Sequence, residues 1–156
     1  MNSVTVIHVG DFKEKYFHEA ENEYKKRLKS FCEYKTVCIK EESTFGEESE
    51  KLILRALEKE AAAIRASIPK QAFKIAMCIE GKQYSSTELA DIFARESRPI
   101  CFVIGSSFGL DESLKRECDM RLSMSKMTFP HQLARVMLAE QTYRAFAINN
   151  GKKYHK

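Results

Sequence analysis

Apolar and polar positions along this chain switch between two periods, and the switches mark its elements. Residues 4–9, VTVIHV, form a β-branched run that stops at Gly10 and predicts a first strand. Over residues 13–31, Tyr16, Phe17, Ala20, Tyr24 and Leu28 recur at three- and four-residue spacings, which predicts a helix. Residues 34–39 read as a second strand, and the polar residues 41–46 as a mobile loop. A long helix is expected over residues 47–67, with Leu52, Ala56 and Ile64 on one side and Pro69 just past its end. Residues 72–79 predict a third strand, followed by Glu80, Gly81 and Lys82. Ser86 or Thr87 then caps a helix running to about Glu96. The continuous apolar run ICFVI, residues 100–104, suits a parallel strand buried on both faces. It feeds Gly105-Ser106-Ser107-Phe108-Gly109-Leu110, after which Asp111 caps a short helix. Strands that alternate with helices predict an α/β fold, a mostly parallel sheet with helices on both faces. No repeat, low-complexity tract or linker interrupts the pattern, so residues 1–156 read as one domain.

The densest apolar pattern lies between Met120 and Ile148. It starts as a short strand-like piece and passes through a compact turn, Met124-Ser125-Lys126-Met127-Thr128-Phe129. Pro130 then opens a helix, because the N–H it lacks has no intrahelical partner in a first turn. Thr128 is the expected N-cap. Val136, Ala139, Tyr143 and Phe146 make one stripe of this helix; Leu133, Met137 and Ile148 lie on a second face, Leu138 and Ala145 on a third. Arg135 and Thr142 share a narrow polar strip, and Glu140 and Arg144 are spaced to pair. A helix apolar nearly all round needs cover on more than one side. Either it is a central core helix, or one face meets its own sheet and another meets a second subunit.

Composition narrows the class. With 44% hydrophobic residues the chain can bury a real core. Its net charge of +4 is compatible with an RNA partner without demanding one. Lys25, Lys26, Arg27 and Lys29 crowd the end of the first helix, either to complement the helix dipole or as an RNA patch. Five cysteines, none spaced as C-x-x-C, read as reduced core residues rather than disulfides or zinc ligands. The N-terminus lacks the pattern of a signal peptide, and no apolar run is long enough to span a membrane. A soluble, cytoplasmic protein is expected.

In open α/β sheets, ligands bind beyond the carboxyl ends of the strands. Three such ends stand out: Met77 to Gly81, Gly105 to Gly109, and Met124 to Phe129. The Gly105 loop is neither G-x-G-x-x-G nor a P-loop, so dinucleotide binding and ATP hydrolysis find little support. Taken alone it is as well explained by a tight turn. His8, His18, His131 and His155 have no metal-ligand spacing, and no metal site is expected. No G-x-S-x-G elbow points to a hydrolase.

The C-terminal portion, LSMSKMTFPHQLARVMLAEQTYRAFAINNGKKYHK, closely resembles the RlmH family of SPOUT RNA methyltransferases. The resemblance extends over the whole chain, through VTVIHVGDFKEKYFHEAENEYKKRL, IEGKQYSS and FVIGSSFGL. One departure is visible: Ser106 stands where the family commonly has a second glycine, which matters if that residue needs a positive φ.

The resemblance implies a C-terminal trefoil knot that binds S-adenosylmethionine, an exception to the rule that chains do not knot. It implies a homodimer that methylates N3 of a pseudouridine in helix 69 of 23S ribosomal RNA on the assembled ribosome. By the same match, Met77, Gly105, Met124, Ser125, Lys126, Met127, Thr128 and Phe129 are the expected cofactor residues. Their chemistry is consistent with that role. Methionines and phenylalanine can form an apolar slot for adenine, and a sulfonium methyl is already activated, so no metal is required. A non-catalytic ribosome-associated RNA-binding protein of the same fold is the alternative.

The acceptor side is expected at the chain end, Gly151-Lys152-Lys153-Tyr154-His155-Lys156. Gly151 closes the last helix and lets the tail turn back. Tyr154 offers a ring to stack on an unpaired base and Lys156 a cation for phosphate. Arg135 and Arg144 are further candidate RNA contacts. His155 is the candidate base for the N3 proton, an imidazole being suited to that task at neutral pH. His131 is its rival, with a structural hydrogen-bonding role equally open, and an already ionised nucleobase would need no protein base. The tail is expected to complete the RNA site, either within its own subunit or across the dimer.

Overall fold

The structure, a computed structural model, describes residues 2–44, 46 and 49–156. Five strands, β1 (Asn2–Val9), β2 (Cys32–Ile39), β3 (Phe73–Gln83), β4 (Ile100–Ile104) and β5 (Met120–Ser123), form one sheet in the order β2-β1-β4-β3-β5. Every strand pair in it is parallel. Five helices connect and flank them: α1 (Lys15–Leu28), α2 (Glu50–Ser67), α3 (Ser86–Arg95), α4 (Glu112–Glu117) and α5 (His131–Asn149).

Alternation along each strand divides the core in two. Val4, Val6, Ile100 and Phe102 face one way and pack against Leu28 of α1, Phe93 of α3, and Leu138 and Phe146 of α5. Ile7, Val9, Cys101 and Val103 face the other way, against Ile64 of α2 and Leu114 of α4. All of β4 is buried, as expected of a continuous apolar run covered from both sides. Each fully buried Leu, Ile or Phe in these layers contributes about 1.5–3 kcal/mol of transfer free energy.

Several boundaries differ from expectation for local reasons. Ser85, not Ser86 or Thr87, caps α3, and it forms a reciprocal capping box with Glu88. Pro130 occupies the N-cap of α5, so the helix starts one residue later, and Thr128 is exposed and does not cap it. The α2 helix begins after Ser49, whose side chain accepts from the Leu52 N–H; Glu47, where its start was expected, lies outside the described residues, as does Phe45 of the expected loop. The Glu42 N–H in that segment donates to the buried carboxylate of Glu60 at 2.9 Å, which ties it to α2.

The largest departure is in β3. Glu80, Gly81 and Lys82, expected beyond the strand, belong to it. β3 pairs with β5 through Met77, shifts register, and pairs again from Lys82, with Leu122 as partner on both sides of the shift. Gly81 makes this close approach possible: a Cβ there would lie 2.7 Å from the carbonyl carbon of Leu122.

Candidate active site

The three expected strand ends converge. A cavity of about 680 Å³ opens where β4 and β5 end, beside the register shift of β3 at Met77 to Glu80, and it lies within the range of about 300–1,000 Å³ usual for small-molecule sites. Met77, Gly105, Met124, Ser125, Met127, Thr128 and Phe129 all line it. Lys126, from the same expected set, is exposed and does not line it.

Local hydrogen bonds shape the loop from β5 to α5. The Ser123 hydroxyl donates to the Ser125 carbonyl at 3.0 Å, and the Met127 N–H donates to the Ser125 hydroxyl at 3.0 Å. Opposite, the Gly105 loop folds on itself. The Gly109 N–H donates to the Ser106 carbonyl at 2.9 Å, and the Phe108 N–H to the Ser106 hydroxyl at 3.3 Å. A Cβ on Gly105 would come within 2.2 Å of the Gly109 carbonyl oxygen. Glycine is therefore needed for the loop to close, before any ligand is considered. Ser106 is buried and is not among the residues with positive φ, so serine is accommodated there and adds a hydrogen bond.

Sequence reasoning missed two charged residues on the cavity wall, Glu80 and Lys115. They pair at 2.5 Å, and the Lys115 ammonium holds the Glu80 carboxyl below the usual carboxylate range. Their elements are far apart in sequence, so no local spacing announced the pair. Cys78 also lines the cavity, and burial pushes its thiol up to about 11, which keeps it protonated at neutral pH. The rim is apolar: Ile79 is 63% and Met127 73% exposed. His131 lines the cavity from the first turn of α5.

Apart from His131, the acceptor-side residues fall into two groups, and neither lines the cavity. Tyr154 and His155 of the tail come together with Arg144 of α5. Arg144 holds Glu140 through two nitrogens at 2.9 and 2.5 Å, and the Tyr154 hydroxyl donates to Glu140 at 3.1 Å. Burial, with the Glu140 charge, pushes the Tyr154 hydroxyl up to about 12, so it serves as a donor. Arg144 Nη1 lies 3.0 Å from Nδ1 of His155. Arginine can only donate, so Nδ1 accepts and the ring proton sits on Nε2. In this pose the basic nitrogen of His155 is already engaged. The tail thus turns back after Gly151, as its glycine suggested, and Lys156 is exposed at its end.

Arg135 is a correction. It is 5% exposed and cannot reach RNA from this position. Its guanidinium is held by Glu21 of α1 and lies 3.8 Å from the centroid of the Phe12 ring. Asp11 is 3.2 Å away. Nearby, Nδ1 of buried His8 donates to the Gly10 carbonyl at 2.7 Å, so the 3.2 Å approach of Arg135 to the same nitrogen is a contact between two donors.

S-adenosylmethionine fits the residues present. The cavity has room, methionine and phenylalanine supply an apolar slot, and the Gly105 and Ser125 loops form part of its wall. No helix among the described residues is long and apolar enough to cross a membrane.

Comparison with known proteins agrees with this arrangement. A family model described as Predicted SPOUT methyltransferase matches residues 2–155. The chain is 44% identical to a ribosomal RNA large subunit methyltransferase H from Clostridium botulinum, covering 99% of both chains. It is 45% identical to the protein of that name from Bifidobacterium adolescentis, covering 98% of this chain and 99% of the other. Among solved structures, a probable methylase family protein from Haemophilus influenzae Rd KW20 superposes with a TM-score of 0.59 at 12% identity, over 99% of this chain and 71% of that one. That likeness bears on the fold alone. A cavity framed by three parallel strands and a match from residue 2 to residue 155 lead to one conclusion: the chain belongs to the SPOUT methyltransferase family.

Proposed function

We propose that this protein transfers a methyl group from S-adenosylmethionine to N3 of a pseudouridine in helix 69 of 23S ribosomal RNA, on the assembled ribosome. The observation that carries the reading is the cavity, lined by seven of the eight expected cofactor residues. End-to-end identity of 44% to a protein named for large-subunit ribosomal RNA methylation supports the substrate class. The whole chain acts as one domain, with its C-terminal segment knotted, as a cytoplasmic homodimer.

The cofactor supplies a methyl group activated by its sulfonium, so the protein has mainly to position the acceptor. Met77, Met124, Met127 and Phe129 hold the adenosine portion, and the Gly105 loop presents its backbone. The tail carries the acceptor: Tyr154 and Lys156 hold the RNA, and His155 takes the N3 proton once its contact with Arg144 opens. Because the tail does not line the cavity of its own chain, the acceptor site is completed across the dimer. The half-buried Leu133, Val136 and Met137 on α5 supply the apolar contact for that dimer.

Isothermal titration tests the reading against a non-catalytic RNA-binding protein of the same fold. Heat of S-adenosylmethionine binding is expected, and its absence at high micromolar ligand rules out the enzyme. Deleting the last three residues should leave cofactor affinity intact and abolish methylation of ribosomes.

A further inference from the structure

A row of cations and rings leaves the C-terminal tail and runs onto α1. Arg144 lies 4.7 Å from the centroid of the Tyr154 ring, and that ring meets Tyr143 edge-on at 4.8 Å. Arg27 then lies 5.8 Å from Tyr143 and 5.5 Å from Tyr24. Lys25 turns inward to Glu21 at 3.2 Å and to the Thr36 hydroxyl at 2.9 Å. Lys26, Arg27 and Lys29 remain exposed. The acidic neighbour of Arg27 is Glu23 at 3.8 Å, and both side chains are about half open to water, so this pair binds Arg27 weakly.

A helix C-terminus alone would call for cations here. It does not account for tyrosines from two helices meeting one guanidinium. Rings beside an arginine restrict its plane and leave its N–H edge for an acceptor, which lowers the entropy lost when phosphate binds.

We propose that Lys26, Arg27 and Lys29 bind the phosphate backbone of the RNA substrate, extending the acceptor surface from the tail onto α1. This rests on the RNA methyltransferase reading above. The guanidinium offers paired donors to phosphate oxygens and the lysines act as point charges. Backbone contacts carry no sequence information, so the patch sets the register of the RNA while the tail meets the base.

The test uses the full chain and purified large ribosomal subunits lacking the methyl group. Binding is measured across a range of KCl concentrations for the parent, Arg27→Gln, Arg27→Lys, and the triple variant Lys26→Gln/Arg27→Gln/Lys29→Gln. Each lost phosphate contact should lower the log–log salt slope by about 0.7–0.9, so the triple variant should lose about 2 to 3 units. Arg27→Lys should keep the slope of the parent and recover only part of the affinity lost in Arg27→Gln. Affinity for S-adenosylmethionine and the melting temperature should not change. A triple variant with the slope and affinity of the parent overturns the inference while leaving the methyltransferase reading in place. A triple variant that sediments as a smaller species, its RNA binding lost for that reason, also overturns it, because the patch then joins copies of the chain. If the parent neither binds the subunits nor methylates them, the RNA reading itself falls, and the inference with it.

Discussion

Arg135 and Glu21, 114 positions apart in the chain, form a buried two-point ion pair with nitrogen–oxygen distances of 2.5 and 2.7 Å. The pair joins the first and last helices beneath the β1–α1 connection, where the Phe12 ring covers the guanidinium. Removing one member leaves a buried charge with only a secondary partner, Asp11 at 3.2 Å for Arg135 or Lys25 at 3.2 Å for Glu21. Glu21→Gln and Arg135→Met should each destabilise the fold, by less than the roughly 3–5 kcal/mol of a fully unpaired buried charge. Glu21→Leu combined with Arg135→Met should recover most of that loss. Urea denaturation of the three variants decides it; a double variant no better than either single one refutes the account.

The same cluster gives a pH dependence. Burial, aided by the Arg135 charge, lowers the pKa of His8 below its ordinary value of 6.5, although its bond to Gly10 and the charges of Glu21 and Asp11 act the other way. In the window below 6.5 the unfolded chain binds a proton that the folded chain refuses. The contribution of His8 is therefore complete above 6.5 and is lost as pH falls toward its folded value, with a slope of at most about 1.4 kcal/mol per pH unit. Denaturation curves between pH 5 and 8 should show this loss in the parent and a flatter profile in His8→Asn.

Gly105→Ala should harm the cofactor site through the backbone. With only a methyl group added, the Gly105–Gly109 turn must open, because its Cβ would overlap the Gly109 carbonyl. S-adenosylmethionine affinity should fall at least about tenfold and the melting temperature with it. Ser106→Gly should bind cofactor like the parent, since the position needs no positive φ. Calorimetry on both variants separates loop closure from simple crowding of the cavity.

These comparisons show which features local pattern can carry. The runs VTVIHV and ICFVI announced β1 and β4 because burial on both faces leaves a β-branched, apolar record in the strand itself. That the loop from β5 to α5 lines a cavity was legible for a similar reason: it follows a strand end and matches a contiguous motif. Arg135 was misread because a charged residue on a helix looks solvent-facing until its partner is known, and Glu21 lies on another helix. Glu80 to Lys82 looked like a turn because glycine and charges usually end strands; pairing with β5 overrides that preference. The Glu80–Lys115 pair depends wholly on tertiary packing.

The outward face of α5 sets the last expectation. Leu133, Val136 and Met137 remain half-buried in one chain, next to the Glu140–Arg144 pair. Sedimentation at micromolar concentration should give about twice the chain mass of 18.0 kDa. Leu133→Glu with Met137→Glu should return the single-chain value, and methylation should be lost with it. A parent that sediments near 18.0 kDa refutes the dimer.

The double pairing of β3 around Leu122 has a consequence for how the pocket exchanges its contents. Residues 78–81 lie unpaired with β5 between two stretches of ladder, and Ile79 and Glu80 line the cavity while both ends stay fastened to β5. Such a segment resists swinging on a hinge, since either end would first have to unzip. The opposite wall, residues 124–130, has no ladder and is held by the side chain of Ser125. Traffic into and out of the cavity should therefore pass by movement of the Ser125 side, and hydrogen exchange should find slow amides at Met77 and Lys82 facing fast ones at Lys126 and Thr128.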